Sequence, residues 1–222
     1  MTKKNTPTTS TPRANLDGMV RDKLRQDILN GVISHNTHLS ELKISQQYGV
    51  SRTPVREALC ALAADGLVVM YPNRGAFSRT PSTSENLDRL DVLAILVAKA
   101  ADKACHELPE TELARLDKYV THLPNLETIA FGKTLKSILD IIVKYTPSQA
   151  LKESVSVLEN RLPLTAFEVA ENTQVRLDIS NHFMQLVSAF KAGESQQAST
   201  ALYNGLTALQ QPALEVAHVG AA

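Results

Sequence analysis

The sequence predicts a mostly α fold in two parts: a winged helix-turn-helix of three helices plus a β-hairpin, then a C-terminal all-α bundle of six or seven helices. Three observations predict it. Apolar residues recur at helical spacing along most of the chain. The exception is residues 67–78, where two short apolar runs flank Pro72-Asn73-Arg74-Gly75, the pattern of a hairpin. Charge also changes sign along the chain: residues 1–80 hold 11 Lys+Arg against 6 Asp+Glu, and residues 81–222 hold 12 against 17. A basic first part and an acidic second part suggest two domains, the first facing a polyanion.

Composition sets the class. With 222 residues, 43% hydrophobic, 21% charged and no tryptophan, the chain reads as a globular protein of one large or two small domains. No apolar run approaches the roughly eighteen residues of a membrane span, so no membrane partner is expected. The start, MTKKNTPTTSTPRAN, has lysines with no apolar segment behind them and is not read as a secretory signal. Its threonines and prolines bury little, so residues 1–15 are expected to form a disordered tail. Cys60 and Cys105 are too few for a disulfide framework and read as free thiols in a reducing, cytoplasmic setting.

The domain at 16–80 is read element by element. Leu16, Val20, Leu24 and Ile28 mark one helix face, stopped by Asn30-Gly31. Ser40 can cap a short helix from Glu41 to Tyr48, and Gly49 ends it. Ser51 is expected to cap the next helix through its hydroxyl; Pro54 is tolerated because first-turn N–H groups have no intrahelical partner. Asp65-Gly66 closes that helix. At roughly 100° per residue from Arg52, the apolar residues Val55, Ala58, Leu59 and Leu62 fall between about 240° and 340°. Arg56 falls near about 40° and Thr53 near about 100°, on the opposite side. A short helix, a tight turn and a helix with polar groups on its exposed first turn is a helix-turn-helix, whose second helix enters the DNA major groove. Arginine suits that place because its planar fork grips guanine or phosphate with two bonds. The hairpin that follows reads as a wing laying Arg74 against the phosphate backbone or minor groove.

These residues carry a resemblance. The run Gly49-Val50-Ser51-Arg52-Thr53-Pro54-Val55-Arg56-Glu57-Ala58-Leu59, then Asp65-Gly66-Leu67 and Arg74-Gly75, resembles the winged helix-turn-helix of GntR-type bacterial transcription regulators. In that family the residues matching Arg52, Thr53, Arg56 and the Arg74-Gly75 pair meet DNA. The resemblance thus implies a candidate interface of Ser51, Arg52, Thr53, Arg56, Lys43, Asn73, Arg74 and Gly75. One departure is Leu42, where the family often has a basic residue; Lys43 beside it is the substitute. Glu57 and Asp65 read as fold or surface residues.

Arg79-Thr80-Pro81-Ser82-Thr83-Ser84 has linker chemistry. Beyond it, helices are expected at about 84–107, 110–121, 126–145, 148–160, 164–191 (interrupted near 172) and 194–211, forming a domain over 84–215. The pattern, with Lys191-Ala192-Gly193-Glu194 as its last corner, resembles the FadR C-terminal domain class, the effector-sensing half of many GntR-type regulators. Many such domains hold a divalent metal through an aspartate and three histidines. Here the matching positions are Gly132, Lys136, Phe183 and Gly205, and His106, His122, His182 and His218 lack converging spacing. No metal site and no cofactor are expected. The resemblance leaves a pocket in which Lys136, Arg176, Arg161 and Phe183 would receive an acidic small-molecule effector; alternatively the domain only dimerises. The arginine and glutamate usual in its first helix are replaced by Leu93 and Val97.

The expected partners are a near-palindromic double-stranded DNA operator, a small-molecule effector and a second copy in a homodimer, whose contact either domain could supply. No Ser/His/Asp order, HExxH, Walker loop or Rossmann glycine motif is present, so an enzyme is not expected.

Overall fold

The computed structural model describes residues 13–163 and 173–210. The chain divides into two units, Met1–Thr80 and Pro81–Ala222.

The first unit has helices α1 (Arg13–Leu29), α2 (Glu41–Tyr48) and α3 (Arg52–Ala64) and strands β1 (His38–Leu39), β2 (Val68–Tyr71) and β3 (Gly75–Ser78). Helix α1 begins inside the stretch read as a tail; residues 1–12 and the Leu16 side chain lie outside what is described. Val20, Leu24 and Ile28 of α1 are buried with Leu39, Ile44, Leu67, Val68, Ala76 and the apolar arc of α3. Gly49 and Gly66 end α2 and follow α3 at φ 65° and 74°, a region that favours glycine. Asp65 finds its partner in Arg25, at 2.9 Å, which ties α1 to the end of α3.

The sheet is antiparallel with order β1-β3-β2, so the wing gains a third strand that the sequence reading lacks. Two residues are too short to show alternation. They pair as His38↔Phe77 and Leu39↔Ala76. The loop before β1 is tied to β3 by the buried Ser78 hydroxyl, which accepts from the Thr37 N–H at 2.9 Å and donates to the Ser34 carbonyl.

The second unit contains α4 (Thr83–Ala104), α5 (Glu110–His122), α6 (Thr128–Tyr145), α7 (Gln149–Glu159), α8 (Thr173–Ala192) and α9 (Ser195–Thr207), with 3-10 turns at Leu123–Asn125 and Ala208–Gln210. The part of the expected 164–191 helix over 164–172 lies outside the described residues. Helix α4 starts inside the stretch read as a linker, because Ser82 and Glu85 form a capping box. The Ser82 hydroxyl accepts from the Glu85 N–H at 3.2 Å, and the Glu85 carboxylate accepts from the Ser82 N–H at 2.9 Å. Helix α4 packs on α6, α7 and α9, and α8 on α5 and α9. Small buried residues on α4 (Ala94, Ala98, Ala101) and α9 (Ala198, Ala201, Gly205) permit close approach of the two backbones. The buried Thr146 hydroxyl, at the end of α6, hydrogen-bonds to the Ala100 carbonyl of α4 at 3.1 Å.

Two helical glycines should respond oppositely to alanine. A Cβ at Gly205 would lie 2.8 Å from the buried Phe183 ring and 3.3 Å from the His182 Cβ, whereas one at Gly18 meets nothing within 4 Å. Alanine gains up to about 1 kcal/mol of helix propensity at either site, but overpacking a fixed ring costs about 1–3 kcal/mol. Gly18→Ala should raise, and Gly205→Ala lower, the urea midpoint of the full chain. A raised midpoint for Gly205→Ala would show that the α8–α9 contact is loose.

Candidate nucleic-acid interface

Helix α3 presents its polar first turn because its apolar arc is buried. The buried residues on it are Val55, Ala58, Leu59 and Leu62, while Arg52, Thr53, Arg56 and Glu57 are exposed. Ser51 is the N-cap with extended backbone, but its hydroxyl caps nothing. This corrects the expected cap, and the reason is local. A capping side chain accepts from the second or third helical N–H, and the third residue here is Pro54, which has none. The Ser51 hydroxyl is left on the exposed turn beside Arg52 and Thr53.

Helix α2 supports that turn. Ser40 caps it, accepting from the Lys43 N–H at 3.4 Å, as its sequence position suggested. Lys43 and Leu42 are both exposed. Glu41 reaches across to α3, its carboxylate 3.4 Å from Arg56 Nε, while 72% of the Arg56 side chain stays accessible. Sequence reasoning missed this pair, which joins two helices with no shared periodicity. An exposed pair of this kind contributes about 0–1 kcal/mol. It can orient Arg56 without sequestering it.

The wing is equally defined. The Arg74 N–H donates to the Tyr71 carbonyl at 3.2 Å, with Pro72 and Asn73 between and Asn73 at φ 60°. Proline followed by a residue at positive φ is the type II turn pattern. Arg74 lies over the Tyr71 and Phe77 rings, 5.4 Å and 5.7 Å from their centroids. Rings on the wing strands thus hold the guanidinium at the hairpin tip by cation–π attraction. Gly75 has φ 85°, and a Cβ there would come 3.0 Å from His38 Nε2. His38 in turn packs on Phe77, ring centroids 5.1 Å apart. Between the start of α2, Arg56 and the wing lies a groove of about 530 Å³, with Glu41, Tyr71, Met70, Asn73 and Gly75 among its walls. His38, Met70 and Tyr71 were not singled out from sequence; Tyr71 and Met70 alternate as a strand would, and only the fold shows both exposed.

In the second unit two of the residues read as effector ligands, Lys136 and Arg176, already have side-chain partners within the chain. Lys136 on α6 is 3.2 Å from the Glu159 carboxylate and also pairs with Asp140 one turn on. Burial alone would lower the pKa of the Lys136 ammonium, but Glu159 and Asp140 outweigh it and hold the pKa above the usual lysine value. Burial raises the Glu159 carboxyl, and Lys136 offsets this only in part. Arg176 donates to the Leu126 carbonyl at 2.8 Å. The Arg161 carbonyl accepts from Arg89 at 3.2 Å. Phe183 is fully buried in the core against Gly205, so it closes space rather than lining an open cavity. Among the described residues no group of three His, Cys, Asp or Glu could hold a metal. Of the positions that the resemblance would give to metal ligands, Lys136 is ion-paired, and the Phe183 ring fills the space that a side chain at Gly205 would take.

Residues 16–77 match the family described as bacterial regulatory proteins, gntR family. The chain is 32% identical over 95 residues to the HTH-type transcriptional repressor RspR of Escherichia coli, covering 43% of this chain and 42% of that protein. It is 31% identical over 98 residues to the Nta operon transcriptional regulator of Aminobacter aminovorans, covering 44% and 47%. The match thus spans less than half the length of these relatives. The solved structure of E. coli McbR/YncC superposes with TM-score 0.70 at 19% identity, covering 93% of this chain and 99% of that one, a likeness of fold. The mostly helical architecture with a small three-stranded sheet is therefore a winged helix-turn-helix, over the residues similar to that family, followed by a helical C-terminal unit.

Proposed function

We propose that this chain is a DNA-binding transcription regulator that binds a near-palindromic operator as a homodimer. The observation that carries the reading is the joint exposure of Ser51, Arg52, Thr53 and Arg56 on the first turn of α3, with Arg74 held at the wing tip beside it. Helix-turn-helix proteins place such residues against base edges, and the wing arginine suits a phosphate or minor-groove contact. The names of the relatives, regulators and not enzymes, support the same class. A two-fold operator matches a two-fold protein, because one module contacts few bases.

Anisotropy titrations of the full chain on duplexes from the DNA flanking its gene, against scrambled duplexes, test this. Arg52→Ala and Arg56→Ala should each cost about 1–3 kcal/mol on the specific duplex and relax discrimination. Arg74→Ala should weaken both duplexes alike and reduce the salt slope by about 1. Wild-type affinity in both helix variants would remove α3 from the interface.

For the second unit, control by an acidic effector at Lys136, Arg161, Arg176 and Phe183 would require an incoming carboxylate to displace Glu159 and Asp140 from Lys136. The ion pairs of Lys136 favour the other reading, a C-terminal unit that dimerises without sensing. On that reading Lys136 is structural, and Lys136→Met leaves the Glu159 carboxylate buried without its cation. The cost at pH 7 should be about 1–3 kcal/mol, less than for a fully buried pair because both side chains keep some exposure. The Glu159 pKa is raised by folding from its ordinary 4.5, and higher still without Lys136. The burden of a buried charge is present above the folded pKa and fades as pH falls through it. Urea unfolding should therefore show a smaller loss at pH 4.5 than at pH 7. A variant as stable as wild type at both would return Lys136 to the pool of ligand-binding candidates.

A further inference from the structure

We propose that Leu42 on α2 and Met70 on the wing form an apolar seat for one strand of the DNA backbone, packing on its deoxyribose rings and not on its phosphates. This rests on the DNA-binding reading above and names a further contact within it.

The strand register places the pair. Met70 is opposite Ala76 in the β2–β3 ladder, and Ala76 is opposite Leu39 in the β3–β1 ladder. Ala76, Leu39 and Val68, the last lying two residues before Met70, are all buried in the core of the first unit. Alternate residues of a strand share a face, so Met70 stands on the core side of the sheet. It nonetheless lies beyond the end of that core, with 42% of its surface exposed. Leu42, on the first turn of α2, is 45% exposed. Neither side chain belongs to the core, and both line the groove between α2 and the wing, together with Leu39 and Ala76.

The surroundings of the pair choose the occupant. The same groove is bordered by Arg56 of α3 and by Asn73 and Gly75 of the wing tip, so it is continuous with the surface assigned to DNA. With α3 in a major groove and the wing against the adjoining minor groove, the strand that separates the two grooves passes between them. That strand alternates an anionic phosphate with an uncharged sugar. Inside the groove Glu41 lies 3.4 Å from Arg56 and offsets its charge, so the site does not select for an anion. Exposed cations stand next in sequence to the groove residues: Lys43 after Leu42, and Arg74 between Asn73 and Gly75. A sugar on Leu42 and Met70 therefore leaves its flanking phosphates to Lys43 and Arg74. Burying apolar surface releases no counterions, so this contact adds affinity that salt does not remove. An apolar side chain of another protein would also suit Leu42 and Met70, but continuity with α3 and the wing selects the DNA strand.

Hydroxyl-radical footprinting reads the seat directly, because the radical attacks exposed deoxyribose. The full-length wild type, saturating the specific duplex from the DNA flanking its gene, should protect a short run of sugars between the α3 and wing contacts. Leu42→Ala and Met70→Ala should each expose those sugars. In anisotropy titrations each should weaken binding to specific and scrambled duplexes about three- to tenfold, with the salt slope unchanged. Leu42→Met and Met70→Leu, which conserve apolar volume, should bind like wild type. All four should keep the wild-type urea midpoint; a binding loss that tracks a lowered midpoint assigns the pair to stability and overturns the seat. Wild-type affinity and footprint in both alanine variants also overturn it, and if Arg52→Ala and Arg56→Ala still weaken binding the DNA-binding reading stands. A wild type without affinity for either duplex overturns that reading and the seat together. Alanine variants that change the mass by light scattering but not the footprint show a protein contact here, and the seat falls.

Discussion

Four residues of α3, Val55, Ala58, Leu59 and Leu62, go into the core of the first unit, and their burial fixes where every other side chain of that helix points. Burying a large aliphatic side chain contributes about 1.5–3 kcal/mol, whereas the Glu41–Arg56 pair on the surface contributes about 0–1 kcal/mol. Packing therefore sets the rotation of the helix, and electrostatics only tunes what the rotation exposes. Turning α3 by one residue would bury a polar group and expose a leucine. The Arg25–Asp65 pair holds the far end of the same helix against α1, so the polar first turn is fixed from both ends.

Proline links that packing to chemistry. Pro54 removes the N–H that a capping serine would use, so Ser51 keeps its hydroxyl for something outside the helix. In the wing, Pro72 and Asn73 form the turn, and the rings of Tyr71 and Phe77 hold Arg74 at its tip. An arginine positioned before contact loses less freedom on binding than one that must be ordered by it. The second unit has the opposite character around α6 and α8. Lys136 meets two carboxylates, Phe183 fills the space above Gly205, and Arg176 is spent on a carbonyl.

Helix α3 was legible because its period is strong and its stops are chemical: Gly49 before it and Gly66 after it. The hairpin was legible from Pro72 to Gly75. Three features were not. Strand β1 is two residues long, below the length at which alternation shows. The start of α4 was read as a linker because Pro81-Ser82-Thr83-Ser84 looks like turn chemistry, although Ser82 and Glu85 spell a capping box three residues apart. The Ser51 cap failed because the rule for the residue type ignores whether the donor exists two or three places on. At the candidate site, which side chains face out followed from helical angles. That Glu41 would hold Arg56, and that His38 would press on Gly75 and Phe77, depends on contacts between elements that no local pattern encodes.

The most direct measurement is amide hydrogen exchange of the full chain with and without a duplex of ~20 base pairs at low salt, long enough for two half-sites one helical turn apart. DNA should protect peptides covering 51–57 and 71–76, where the α3 turn and the wing tip lie, and leave those covering α6 and α7 unchanged. Protection confined to α4–α9, with none at 51–57, would contradict the assignment of the α3 face to DNA.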